Sequence, residues 1–367
     1  VDPKSIEVKW RGLWMRLIGK SLPGPRATQL PLPLGNDTRV LFIRYERIGD
    51  MIMATSIIRA IAESVPGGKV DVLATPTTAP VLENNPHVGR VLTLDRGSLR
   101  SYLRTMRQVR RGHYQVMVDG RINNPPIFTS TPLLMRAAGA IYRVGSGGGK
   151  NATIYNVCVQ EYDRSVHYID GSKALAVPFG VDPSKVDWQP ELFLSDAERQ
   201  KADETWHGVK HSKRAPAPAT PQKRLLVNLS ASEPKRRWPD GKFVATLQAA
   251  RAIRPEMPIV VIGLPSEWKS VQQVAGEVGA LPVATPQLRD AFALVGSADL
   301  VFTPDTSISH AASAFRKPSL VLLKREHRPY APYNTPGEIV AWNEDEIQQL
   351  PHERVSAALT NLIEKFG

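Results

Sequence analysis

At 367 residues, with 42% apolar and 22% charged side chains, the chain is long enough for two globular domains, each with its own core. A formal charge of +12 points to an anionic partner: nucleic acid, a membrane surface or a phosphorylated substrate. The single cysteine, Cys158, excludes an intrachain disulfide and a Cys-rich metal site and fits a reducing compartment, and no apolar run reaches the ~18 residues of a membrane helix.

The first 38 residues stand apart. VDPKSIEVKW does not have the form of a signal peptide. Ile6, Trp10, Leu13, Trp14 and Leu17 recur at near-helical spacing among Lys4, Lys9, Arg11, Arg16 and Lys20. Such a basic, Trp-bearing amphipathic helix suits a membrane interface, or equally a helix packed on the body of the protein. The Pro/Gly-rich SLPGPRATQLPLPLGND that follows reads as a tether.

From Arg39 strands and helices alternate. Val40 to Ile43 read as a buried strand that Gly49-Asp50 breaks, followed by a helix with Met51, Ile52, Ile57, Ile58 and Ile61 facing inward. Asp50 is then a carboxylate at the carboxyl end of a strand and the mouth of a helix, where open α/β sheets place ligands. Gly49 lets the backbone turn sharply before it. The turn lacks GxGxxG spacing, which argues against a hydride-transfer enzyme. KVDVLATP, RVLTLD, YQVMVDG and IYRVGSG read as further strands, with helices at LRSYLRTMRQVRRG and PLLMRAAGA. Within the first of these, Arg100, Arg104, Arg107 and Arg111 fall on one helical face with no interleaved acid. The stripe suits a phosphorylated acceptor or an anionic membrane surface. It lacks the aromatic residues of a single-strand nucleic-acid platform.

The basic Pro/Ala-rich stretch 211–223 reads as an interdomain linker. A second alternating series follows: RLLVNLS, a helix from Gly241, PIVVIGL, a helix, LPVAT, a helix, DLVFTPD, a helix and PSLVLL, before a terminal helix interrupted at Pro351. Strands alternating with helices in both halves predict two doubly wound parallel sheets facing across a cleft. The expected layout is a helix and tether at 1–38, Rossmann-like domains at 39–210 and 224–345, and a helix at 346–367 packing back on the first domain.

In the second half polar residues follow three strands. Ser230, Ser232, Lys235, Arg236 and Arg237 lie between a strand ending at Leu229 and a helix opened by Trp238-Pro239; hydroxyls, clustered cations and free N–H groups suit a pyrophosphate. Asp305, Thr306, Ser307 and Ser309 crowd another strand end, with His310 on the next helix; Asp305 reads as its N-cap and as a ligand-facing group at once. Glu267, after a Gly-Leu-Pro turn, is placed to accept ribose hydroxyls. Asp-x-Asp, HExxH, CxxC, GxSxG and the Walker lysine loop are all missing, so a metal-free mechanism without a cofactor is expected.

With these pieces placed, the chain resembles the ADP-heptose:lipopolysaccharide heptosyltransferases, the glycosyltransferase family 9 group with a GT-B fold. The resemblance is carried by RIGDMIMATSIIRAI, VLENNPHVGRVLTLD, YQVMVDG, AAGAIYRVG, KRRWPDGKF and TPDTSISHAASAFRKPSLVLL. It implies an inverting glycosyl transfer in which Asp50 is the general base, Lys235 or Arg236 neutralises the donor diphosphate, and Asp305 with Thr306 holds the donor. Ser230, Ser232, Glu267, Ser307 and His310 complete the donor-binding candidates. Arg47 joins Arg100, Arg104, Arg107 and Arg111 as acceptor-binding candidates. The implied partners are a nucleotide-sugar donor, an anionic glycolipid or glycan acceptor and an anionic membrane on the cytoplasmic side, with no nucleic acid. Ser307 stands where the family usually has Gly, and KREHRPYAPY lacks its usual Phe-Gly.

Overall fold

The computed structural model describes residues 29–95, 97–122, 130–147, 155–209, 222–231, 233–343 and 347–367. The expected N-terminal basic helix, most of the 211–223 stretch and Ser232 lie outside the described residues. Two compact units divide at Trp188/Gln189.

In the first unit, β1 (Val40–Ile43), β2 (Val70–Ala74), β3 (Val88–Thr93), β4 (Val116–Asp119), β5 (Tyr142–Ser146) and β6 (Val157–Val159) form one sheet in the order β3-β2-β1-β4-β5-β6. Every pairing is parallel. β1 and β4 are buried throughout, as central strands covered on both faces must be, which is why they read as unbroken apolar runs. The crossovers carry α1 (Ile48–Ser64), α2 (Leu99–Arg111) and α3 (Ser130–Ala137), and α4 (Tyr168–Ser172) follows β6. Residues 29–38 form no helix, yet they are not a free tether: Leu32 is buried and its N–H donates to Pro178 O at 2.8 Å.

The second unit repeats this topology. β7 (Leu225–Asn228), β8 (Ile259–Ile262), β9 (Leu281–Pro282), β10 (Leu300–Pro304), β11 (Ser319–Lys324) and β12 (Gly337–Trp342) are ordered β12-β11-β10-β7-β8-β9, again all parallel. α5 (Asp196–His207) precedes this sheet, and α6 (Asp240–Ile253), α7 (Trp268–Val278), α8 (Leu288–Ser297), α9 (Ser307–Ala314) and α10 (His352–Phe366) complete the unit. Trp238, Phe243 and Phe302 pack edge-on or tilted at its centre with centroids 4.9–6.1 Å apart.

Two expectations are corrected. The division falls at 188/189 and not in 211–223, because the segment after Trp188 is bonded into the second unit. Buried Gln189 donates to Ser313 O and Tyr333 O, Trp206 Nε1 donates to Ser297 Oγ at 2.9 Å, and Arg289 pairs with Glu198. Helix α10 packs on α6 and β12, with Val355, Leu359, Leu362 and Ile363 inside the second core. Its N-cap is Pro351, which begins the helix and does not interrupt it. Two strands, β6 and β12, add to those expected. β6 has three residues, and β12 is half-exposed and opens on Gly337, whose φ of 151° and tight approach to the Ser319 backbone admit no side chain.

Candidate functional site

Strand order reverses between β1 and β4 in the first sheet and between β7 and β10 in the second. Crossovers leave such points on opposite faces and open a crevice at the strand ends. Asp50 falls at the first, and Ser230, Asp305 and Thr306 fall at the second.

After β1 the chain turns through Arg44–Arg47, with Arg47 as N-cap of α1. Gly49 and Asp50 therefore lie in the first helical turn, and the sharp glycine turn expected there is absent. Asp50 sits where a carboxylate is favoured by the helix dipole. Its Oδ2 lies 3.2 Å from Nη2 of Arg44, whose side chain is only 5% exposed. Nη1 of Arg44 donates to Gly120 O at 2.9 Å, and its guanidinium stacks over the Tyr168 ring at 5.2 Å. Its Nε lies 3.3 Å from Glu46, near enough for an ion pair though not aligned for a hydrogen bond. Burial alone would lower the Arg44 pKa, but Tyr168, Asp50, Glu46 and Asp119 together raise it. Burial pushes the Tyr168 hydroxyl up to about 12.

Beyond β4, Arg121 donates twice to Asp119, at 2.6 and 2.9 Å, and lies 3.4 Å from Glu46. Tyr155 donates to the same Asp119 carboxylate at 2.7 Å. A chain of alternating charges thus links Asp50, Arg44, Glu46, Arg121 and Asp119 across the switch point. Arg47 is exposed and has no ion-pair partner among the described residues. Arg100, Arg104, Arg107 and Arg111 line the outer face of α2, all exposed, while Thr105 and Val109 on its other face are buried.

In the second unit, Asn228 at the end of β7 donates to Thr303 Oγ1 at 3.0 Å and Thr306 Oγ1 at 3.2 Å, tying the two strands that flank the switch point. Thr306, not Asp305, caps α9, accepting from Ile308 N. Asp305 is released from capping and is held instead by Arg236 and by Nδ1 of His327, at 2.8 Å from the latter. Arg236 reaches it from the short 3₁₀ turn Pro234–Arg236, anchored by fully buried Trp238, whose indole N–H donates to Leu350 O. Burial alone would raise the Asp305 pKa. The His327 hydrogen bond and the charges of Arg236, His310 and His327 outweigh it and hold the pKa below the ordinary value.

The remaining predicted residues divide. Lys235 is 67% exposed, with Nζ 3.6 Å from Glu233. Ser307 opens α9 half-exposed, and His310 is buried on the same helix. Ser230 and Glu267 are taken up by local structure: both accept from Leu264 N–H, at 2.7 and 3.1 Å, and Glu267 also pairs with Arg237 at 3.2 Å.

Sequence reasoning missed Arg44, Glu46, Asp119, Arg121, Asn228 and His327. Arg44, Asp119 and Asn228 each end or immediately follow a strand and were legible by position. His327 lay in the segment flagged only for what it lacks, in the turn Arg325–Tyr330.

Residues 102–356 match the family described as glycosyltransferase family 9 (heptosyltransferase). Over 332 residues the chain is 22% identical to the lipopolysaccharide core heptosyltransferase OpsX of Haemophilus influenzae, spanning 87% of this chain and 89% of that protein. It is similar in structure to the glycosyl transferase family 9 protein of Veillonella parvula, with a TM-score of 0.74, 17% identity and coverage of 91% of this chain and 99% of that one. A second such structure is the ADP-heptose LPS heptosyltransferase II of E. coli, with a TM-score of 0.68, 19% identity and coverage of 89% and 99%. The two Rossmann-like units are accordingly those of a GT-B fold. With a family match that spans more than half of its length, the chain belongs to glycosyltransferase family 9 and is a glycosyltransferase.

Proposed function

We propose that the protein moves a heptose from ADP-heptose, with inversion and without a metal ion, to a hydroxyl of a phosphorylated or acidic lipopolysaccharide-type acceptor at the cytoplasmic side of a membrane. Asp50 takes the proton of the acceptor hydroxyl as that oxygen bonds to the anomeric carbon; the bond from the anomeric carbon to the diphosphate oxygen breaks, and ADP leaves. Its charge is met by Lys235 and by the positive end of the α9 dipole, in place of a metal. Arg236 is occupied with Asp305, so Lys235 is the cation assigned to the diphosphate, and Asp305 and Thr306 face the donor. Arg47 meets an acidic group of the acceptor.

The observation that carries this reading is Asp50 itself, a carboxylate at a topological switch point held by a buried arginine at 3.2 Å. The donor is suggested by relatives: OpsX is named for the lipopolysaccharide core, the E. coli heptosyltransferase II for ADP-heptose, and the E. coli WaaC structure holds ADP. A second reading keeps the chemistry and changes the nucleotide-sugar, favoured by His327 against Asp305 in a segment that departs from the family pattern.

A thermal-shift screen separates the two, because a ligand that binds only the folded state raises its apparent stability. Stabilisation by ADP and ADP-heptose is expected, and stabilisation by UDP- or GDP-sugars alone overturns the donor assignment. Transfer unaffected by EDTA is expected of the metal-free mechanism; loss restored by a divalent cation sinks it.

A further inference from the structure

Helix α2 has two unlike faces. Thr105 and Val109 are buried, and Tyr102 and Met106 pack on the core of the first unit. The outer face presents Arg100, Arg104, Arg107, Arg110 and Arg111, all exposed, with no ion-pair partner among the described residues, and Leu103 among them is 51% exposed. At 100° per residue these six positions share one half of the helix circumference.

Helix stability does not ask for this arrangement. Arginines three and four apart repel one another. Arg110 and Arg111 suit the negative end of the helix dipole, but Arg100 stands in a first turn that holds no acid, where a cation is disfavoured. The stripe also extends too far for one small ligand. It runs about 16 Å along the helix. It starts at Ser98, on the side of the sheet where β3 ends, and finishes beside Tyr114, whose hydroxyl bonds Asp71 and Arg90 near the beginnings of β2 and β3. Five cations in a row around an exposed leucine match a flat anionic surface with an apolar interior beneath it. The face carries no exposed aromatic residue on which nucleic-acid bases would stack.

We propose that the outer face of α2 is a docking surface for a bilayer leaflet rich in anionic headgroups, with the five arginines at the phosphates and Leu103 in the interfacial layer. The assignment goes beyond the transfer reaction and does not depend on the identity of donor or acceptor.

The test is co-sedimentation of the full chain with vesicles. The wild type is expected to pellet with phosphatidylcholine vesicles containing one-quarter phosphatidylglycerol, not with phosphatidylcholine alone, and to be released by salt. The variant R100Q/R104Q/R107Q/R111Q, with an unchanged melting temperature, is expected to bind the anionic vesicles about 10²–10³-fold more weakly. L103A is expected to weaken binding while leaving its salt dependence intact. Equal vesicle binding by the quadruple variant and the wild type overturns the assignment, since another part of the chain would then carry it. Displacement by millimolar glycerol 3-phosphate overturns it in favour of a single-phosphate site. Tighter binding of single-stranded RNA than of vesicles at matched salt, lost in the same variant, overturns it in favour of nucleic acid.

Discussion

Asp50 and Arg44 meet at 3.2 Å with Arg44 almost wholly buried, so the proposed base is oriented by a cation that the same strand delivers. The guanidinium also bonds Gly120 O and covers Tyr168, so its position is fixed by two contacts independent of Asp50. Replacing Arg44 with Met leaves Asp50 and Glu46 without their shared counter-charge. The expected cost is about 3–5 kcal/mol, as for other half-broken buried pairs, read from urea unfolding. A cost below about 1 kcal/mol would mean the network contributes little to the fold.

Asp50→Asn keeps size and helix position and removes the proton acceptor. Transfer should fall about 10²–10⁴-fold with nucleotide-induced thermal stabilisation retained. Near wild-type turnover would place the base elsewhere.

Asp305 illustrates how pH should act on the second unit. Its pKa is depressed in the folded state, so its contribution to stability is complete above the unfolded value near ~4 and is lost as pH falls through the folded one. His327→Phe removes one of the groups holding it down. The Asp305 carboxyl should then titrate at higher pH, followed by carbon NMR of labelled aspartate, and the acid loss of stability should begin at higher pH. Superimposable titrations would show that Arg236 alone sets the site.

Glu198 gives a sharper window. It accepts twice from Arg289, at 2.6 Å each, and closes a capping box with Ser195. The Arg289 hydrogen bonds, working against burial and aided by Ser195, lower its pKa to about 2. The linked stability is full above about 4.3, the ordinary glutamate value, and fades as pH falls toward about 2. The difference in unfolding free energy between wild type and Glu198→Gln should therefore shrink over that interval. A constant difference would contradict the linkage.

Trp238 has no exposed surface and joins the 234–236 turn to Phe243 and Phe302. Trp238→Ala should cost about 3–5 kcal/mol by denaturant titration. It should also weaken nucleotide binding, because the turn that carries Lys235 and Arg236 loses its anchor. Unchanged binding would separate the turn from the donor site.

Local pattern determined the strands and helices of both halves. Fully buried strands such as Val40–Ile43 and Ile259–Ile262 are continuous apolar runs, and α2 announces its buried and solvent faces by spacing alone. Asp50, Asp305 and Thr306 were legible because a polar residue at a strand end in an alternating chain has few structural reasons to be there. Tertiary structure decided their partners. Arg44 with Asp50 joins neighbours on one turn, but Asp305 with Arg236 and His327 spans 69 and 22 residues, and Asn228 with Thr306 spans 78. Such contacts are set by which strands lie side by side, and periodicity carries no trace of that order. The same limit explains the misplaced domain boundary. Residues 189–209 join the second unit through Gln189, Glu198 and Trp206, contacts made with residues 91 to 144 positions further on, whereas composition had pointed to the Pro/Ala-rich stretch that follows them.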